Sequence, residues 1–221
     1  MNQPEKLDFV HTFVSGHSGR TLLLLHGTGG NENDLIPLGR ELDPDADLLS
    51  PRGKVLENGM PRFFRRLAEG IFDEEDLVRR THELAEFIEQ ASTKYSLNRQ
   101  NLFAVGYSNG ANIAGSLLLL RPETLAGAVL LRPMVPIVPD LLPDLKGVPV
   151  LVISGHYDPI IPPDESLQLV TMLRNAGAEV SVSLENAGHN LTEGTMEIAK
   201  RWLGAVGRTE GRGDLNRGSR R

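Results

Sequence analysis

No cysteine occurs among the 221 residues. That absence excludes a disulfide framework, a thiolate zinc site, an iron–sulfur cluster and a Cys nucleophile, so any covalent catalysis runs through another residue. Positive charge is also in short supply. Against 29 Asp and Glu stand 23 Lys and Arg, a net charge of −6, which argues against general affinity for nucleic acid or an anionic membrane surface. No apolar run approaches the roughly 18 residues of a membrane span, and the polar residues 1–6 lead into no signal-peptide core. A cytoplasmic location is therefore expected. What is present, 40% hydrophobic and 24% charged residues, is the balance of a globular protein long enough to bury a large core.

Only the C-terminal end departs from this composition. Residues 208–221, RTEGRGDLNRGSRR, carry five Arg, two acids, three Gly and a single apolar side chain. Such a segment cannot bury enough surface to offset its ordering entropy, so it is expected to be disordered, leaving residues 1–207 as one domain. Within that domain, short apolar runs at 21–25, 101–106, 126–131, 148–154 and 179–184 alternate with helical patterns at 33–42, 74–95, 109–120, 163–176 and 192–206. This alternation predicts strands joined through helices into a mostly parallel α/β sheet with helices on both faces. Gly177 stands where a left-handed residue would end the fourth helix. The stretches 51–73 and 132–146 carry no clear period, and loops of that length in a compact domain are commonly functional.

Gly106-Tyr107-Ser108-Asn109-Gly110 falls where a predicted strand gives way to a predicted helix. In G-x-S-x-G the turn is so tight that side chains at the flanking positions would collide, and the serine is thrust out above the sheet. A serine becomes a useful nucleophile only when a histidine takes its proton and a carboxylate holds that histidine in the right tautomer. On this topology the chain order is serine, acid, histidine, each following a strand. Asp158, in SGHYDPIIP, and His189, in ENAGHNL, meet that order. His156 shares the loop of Asp158 and reads as a loop histidine; Asp164 and Glu165 open a helix, where carboxylates offset the dipole. His11, His17 and His82 have no motif around them and read as surface residues.

A second glycine-rich element, Leu23 to Gly30 (LLLHGTGG), runs from an early strand into a loop that can turn backbone N–H groups toward a developing oxyanion. The amides of Thr28 and Asn109 are the expected donors, and His26 is expected to be a buried hydrogen-bonding support for the loop. A phosphate cradle is the rival reading, but neither G-x-x-x-x-G-K nor G-x-G-x-x-G is present. The chain also lacks an HExxH or a clustered His pair, so no metal and no cofactor are expected.

Together LLLHGTGGNENDL, AVGYSNGAN, SGHYDPIIP and NAGHNL resemble the α/β-hydrolase fold, specifically the carboxylesterase/phospholipase family that also contains acyl-protein thioesterases. The segment RGKVLENGMPRFFRRLAEGIFDEEDL is similar to its branch of small bacterial carboxylesterases. The resemblance covers roughly residues 9–206 and implies Ser108 as nucleophile, Asp158 as orienting acid, His189 as base, and Thr28 with Asn109 as the oxyanion pair. It departs from the thioesterase relatives at SGHYD, where His156 replaces an acidic residue of their shorter turn.

A body little longer than a minimal eight-stranded hydrolase leaves no room for an inserted lid domain, so the two unassigned stretches would build the pocket. Phe63, Phe64, Met134 and Ile160 are the expected substrate-binding residues. The same apolar side chains could equally pack the loops onto the body or form a homodimer contact. Arg62, Arg65 and Arg66 could anchor an anionic substrate group, but the acids from Glu69 to Asp76 that follow favour plain surface ion pairs. The expected function is a serine carboxylesterase acting on small to medium-chain esters. A thioesterase, lysophospholipase, cyclic-ester hydrolase or acyltransferase on the same scaffold is the alternative, and a non-catalytic binding protein is the least favoured.

Overall fold

The computed structural model describes residues 7–206; the 208–221 tail lies outside the described residues. In chain order the elements are β1 (His11–Val14), β2 (Thr21–Leu25), α1 (Ile36–Leu42), β3 (Asp47–Pro51), β4 (Val55–Glu57), β5 (Met60–Arg62), β6 (Arg66–Ala68), β7 (Ile71–Phe72) and α2 (Glu74–Tyr95). They continue as β8 (Leu102–Tyr107), α3 (Asn109–Leu120), β9 (Gly127–Leu131), β10 (Pro149–Gly155), α4 (Pro163–Asn175), β11 (Glu179–Glu185) and α5 (Glu193–Val206).

Seven strands pair in the order β1-β3-β2-β8-β9-β10-β11, and only the β1–β3 pair is antiparallel. Every residue of β2 and β9 is buried, because helices cover both faces. Alternate side chains divide between them. Leu23, Leu25, Ala104, Leu130 and Val152 pack with α2, α3 and α4, whereas Leu22, Leu24, Val105, Val129 and Ile153 pack with α1 and α5. Each such Leu, Val or Ile contributes about 1.5–3 kcal/mol by leaving water.

Register sets where the loops emerge. Leu25 lies opposite Gly106, Tyr107 opposite Leu131, and Gly155 opposite Glu185, so β2, β8, β9, β10 and β11 end along one edge. From β2 the chain first steps outward to β3 and then returns to β8 on the other side. That reversal is a topological switch point, the place where open α/β sheets keep their ligands.

Helix ends follow local chemistry. Asp73 caps α2 by accepting the Asp76 N–H at 3.0 Å, and Ser96, at φ 56°, closes it. Gly177 has φ 95°, the left-handed stop its sequence position predicts. Among the described residues the sheet has seven strands, five of them at the predicted apolar runs, and the other two, β1 and β3, lay outside those runs. The stretch 51–73 is not a bare loop. It carries two hairpins, β4–β5 and β6–β7, the first turning through Asn58-Gly59 with φ of 51° and 81° at its two positions. Positive φ at both is the two-residue turn for which Asn-Gly is favoured. His17 and His82 are exposed, but His11 is half-buried, its ring bonded to the Phe9 carbonyl and the Tyr95 hydroxyl.

Candidate active site

The turn from β8 into α3 is built by its glycines. A Cβ on Gly110 would overlap the carbonyls of Leu25 and His26, and one on Gly106 would overlap the carbonyl of Gly110. Ser108 between them is held at φ 52°, ψ −113°, a conformation that costs about 1–3 kcal/mol and persists only where its surroundings impose it. Its N–H donates to the Leu131 carbonyl at 2.9 Å, which pins the strained residue to the end of β9.

Ser108 Oγ lies 3.0 Å from His189 Nε2, and His189 Nδ1 lies 2.8 Å from Asp158 Oδ2. A proton on Nδ1, facing the carboxylate, leaves Nε2 free to accept from the serine hydroxyl. The other oxygen of Asp158 accepts the N–H groups of Ile160 at 2.8 Å and Ile161 at 3.0 Å. Pro159 has no N–H, so the next two amides close on the buried carboxylate and fix its direction. The acid and histidine loops cross at Gly155, where a Cβ would overlap the carbonyls of Ala187 and Gly188. His156 stays outside this chain of bonds; its exposed ring packs edge-on against Tyr157.

Two groups hold the histidine loop. The Tyr107 hydroxyl donates to the His189 carbonyl at 3.2 Å, and burial pushes that phenol above its ordinary range. Arg132 is wholly buried and reaches into the loop from the end of β9. Its guanidinium donates to the carbonyls on both sides of His189, those of Gly188 (3.0 Å) and Asn190 (3.1 Å), and pairs with Glu185 at 2.9 Å. Sequence reading missed Arg132, because Arg before Pro133 at a strand end looks like the start of an exposed loop.

On the opposite side lies the loop after β2. Among the described residues no acceptor is found for the N–H of Thr28 or of Asn109. The buried His26 ring donates from Nδ1 to the Gly27 carbonyl at 2.7 Å and accepts the Gly53 N–H on Nε2 at 3.0 Å. Since C=O and N–H point opposite ways across a trans peptide, holding Gly27 O also aims the Thr28 N–H. Burial pulls the His26 pKa below its usual value, which keeps Nε2 an acceptor. An N–H without an acceptor can receive charge that develops on an oxygen, and that of Asn109 adjoins Ser108 in the chain.

The expected substrate-binding residues are distributed differently. Phe63 (2% exposed) and Phe64 (0%) are core residues, the first against the His26 ring and the second edge-on to Phe72, because the chain after β5 runs beneath the loop rather than over it. Neither is an open pocket wall. Ile160, about half exposed, stands at the rim beside Asp158, and Met134 is half-buried with its N–H on Asn112 Oδ1. Met60, another apolar side chain of the 51–73 stretch, is partly exposed, and its sulfur lies 3.6 Å from where a Gly29 Cβ would be. Val138 and Leu142 instead line a separate groove of about 660 Å³ against α4. The arginines also divide. Arg65 pairs with Asp73 as expected of a surface residue, while Arg66 turns to Glu57 and Arg62 is buried.

A mostly parallel sheet with a serine on a strained strand-to-helix elbow defines an α/β hydrolase. The chain belongs to the phospholipase/carboxylesterase family, whose profile matches residues 15–206. It is 55% identical over 192 residues to MhqD of Bacillus subtilis (strain 168), a protein named as a hydrolase, covering 87% of this chain and 96% of that one. Among solved structures it is similar to a Bacillus cereus carboxylesterase, with 53% identity, a TM-score of 0.88 and coverage of 90% and 95% of the two chains. A Mesorhizobium loti carboxylesterase matches at 34% identity and a TM-score of 0.85, over 90% and 96% of the chains. Among the described residues no helix is long and apolar enough to cross a membrane.

Proposed function

We propose that this hydrolase is a serine carboxylesterase acting on small to medium-chain esters through Ser108, His189 and Asp158. The observation that carries the reading is the continuous pair of bonds, 3.0 Å and 2.8 Å, joining the elbow serine through an imidazole to a buried carboxylate. His189 Nε2 takes the hydroxyl proton as Ser108 Oγ attacks the ester carbonyl, and Asp158 steadies the imidazolium that forms. The oxyanion of the tetrahedral intermediate accepts the N–H groups of Thr28 and Asn109. Collapse breaks the bond to the alcohol oxygen, which leaves with the proton from His189, and the acyl group stays on Ser108. Water then attacks that acyl-enzyme with His189 again as base, releasing the acid and restoring the serine.

Ser108→Ala is the test. Loss of a nucleophile of this kind lowers kcat by roughly 10⁴ to 10⁶. Purified variant and parent are compared for p-nitrophenyl acetate turnover and for labelling by a fluorophosphonate, with circular dichroism as the check on folding. More than a tenth of the parent activity in a folded variant would overturn the reading.

A further inference from the structure

The segment 61–64 touches both proposed oxyanion residues. Arg62 Nη1 donates to Thr28 Oγ1 at 2.6 Å, the Gly29 N–H donates to the Pro61 carbonyl at 2.9 Å, and the Phe63 N–H donates to Asn109 Oδ1 at 2.8 Å. Thr28 leaves β2 and Asn109 opens α3, so no local chain geometry fixes their separation. A single short stretch bonded to both ties them together. Pro61 lies in β5 and Phe63 just past its end, so the two bonding groups are only two residues apart in the chain.

Arg62 is the unusual member of this stretch. Its side chain is 4% exposed, and a guanidinium withdrawn from water needs partners for its donors. It finds Thr28 Oγ1, the Phe64 carbonyl at 3.2 Å and Glu57 at 3.3 Å. Glu57 is shared with Arg66 at 2.7 Å, so two cations meet one carboxylate. An apolar side chain would fill the same space without desolvating a charge.

We propose that 61–64 is a clasp that sets the oxyanion hole, with Arg62 as a positioning residue for Thr28. The inference rests on the serine-esterase reading above. The bond to Thr28 Oγ1 holds that side chain in one rotamer, the Pro61 carbonyl holds the following peptide plane, and Phe63 holds the Asn109 side chain. With all three in place, the two N–H groups face the reacting oxygen before substrate arrives. The attraction of the Arg62 guanidinium strengthens as negative charge grows in the transition state, an interaction that raises kcat rather than lowering KM.

Arg62→Lys, Arg62→Met and Thr28→Val are compared with the parent, at a temperature well below each variant's unfolding midpoint. Lysine keeps the charge without the fork; valine keeps the arginine and removes the acceptor. Turnover of p-nitrophenyl acetate gives kcat and KM, and an alkylboronic acid, which forms a tetrahedral adduct on the serine, reports on the hole itself. Each variant is expected to lose about 10- to 100-fold in kcat with KM within about twofold, and the boronate Kd to weaken by the same factor, below the loss for deleting a donor outright. A purely structural arginine would instead lower the unfolding midpoint and leave kcat and boronate affinity unchanged. That outcome overturns the clasp, and if Arg62→Met does not fold, unchanged values in Thr28→Val overturn it equally. Ser108→Ala separates the two levels. Lost turnover there with intact turnover in the clasp variants removes only this inference, whereas retained turnover in Ser108→Ala removes the esterase reading beneath it.

Discussion

Arg132→Met removes the charged group that brackets His189, and the size of its effect can be worked from the partners left behind. Arg132 is 0% exposed, and the side chain of Glu185, its ionic partner, is 10% exposed. Removing one member of a buried pair strands the other charge, at about 3–5 kcal/mol. Glu185 keeps two donors, the Thr195 hydroxyl at 2.6 Å and the Thr192 hydroxyl at 3.1 Å, which favours the lower half of that range. The carbonyls of Gly188 and Asn190 lose their donor as well; Asn190 is exposed and water can replace the bond there, while the half-buried Gly188 carbonyl adds at most about 1–3 kcal/mol. Relief of backbone strain works the other way only slightly, since methionine at φ 55° before Pro133 is as disfavoured as arginine. For a chain of this length 1 kcal/mol moves the midpoint by about 2–4 °C, so the ion-pair cost of about 3–4 kcal/mol alone should lower the melting midpoint by roughly 6–16 °C, and the lost carbonyl bond adds to it.

A double-mutant cycle with Glu185→Met sharpens the test. Replacing both members of a buried ion pair by apolar groups is often nearly neutral for the pair itself, so the double variant should recover part of the loss. It should not recover all of it, because the loop carbonyls remain without a donor. Urea unfolding followed by circular dichroism measures all four corners. A drop of less than about 2 °C in Arg132→Met, or additivity of the two single changes, would refute the account of Arg132 as a buried clamp.

Other expectations follow from the same geometry. Burial lowers the His26 pKa in the fold, so the stability it contributes is complete above its unfolded value of about 6.5 and is lost as pH falls through the folded value. Unfolding free energy measured from about pH 7.5 to 5 should therefore fall more steeply in the parent than in His26→Gln; equal slopes would contradict it. Phe63→Ala, at a buried site against the His26 ring, should cost about 3–5 kcal/mol of stability by chemical denaturation rather than simply widen a pocket. With both phenylalanines withdrawn, the proposed acyl wall is left to Met60, Met134 and Ile160, where each methylene adds about 0.8 kcal/mol only while the wall lasts. Specificity constants for p-nitrophenyl esters should peak between acetate and octanoate; palmitate as the best substrate, presented below its aggregation limit, would refute this.

Most of the fold was legible because buried parallel strands and their covering helices leave a direct mark on composition. Runs such as TLLLL and GAVLL are apolar throughout, since both faces are covered. The strands at the β1 end of the sheet leave a weaker mark. HTFV is half-buried along its whole length, and DLLSP is five residues ending on a proline, so β1 and β3 carry no pattern that separates them from loop. The hairpin over 55–62 had a signal in Asn58-Gly59, whose two positive φ values are what a two-residue turn demands.

Within the site, legibility followed steric necessity. Gly106, Gly110 and Gly155 are glycine because another backbone occupies the place of a Cβ, and such a constraint is visible as a residue type at a fixed spacing. Arg62 and Arg132 obey no local rule. Arg62, Arg65 and Arg66 look alike in sequence, yet one is buried beneath the Thr28 loop, one is exposed beside Asp73 and one turns to Glu57. The partner that makes burial of Arg132 tolerable, Glu185, is 53 residues away, and its other acceptors are main-chain carbonyls that every residue possesses. A side chain that works by holding backbone leaves no complementary residue to find. The groups that aim the proposed catalytic side chains are therefore harder to read than those side chains themselves, and both arginines had to be met in three dimensions before a role could be argued for either.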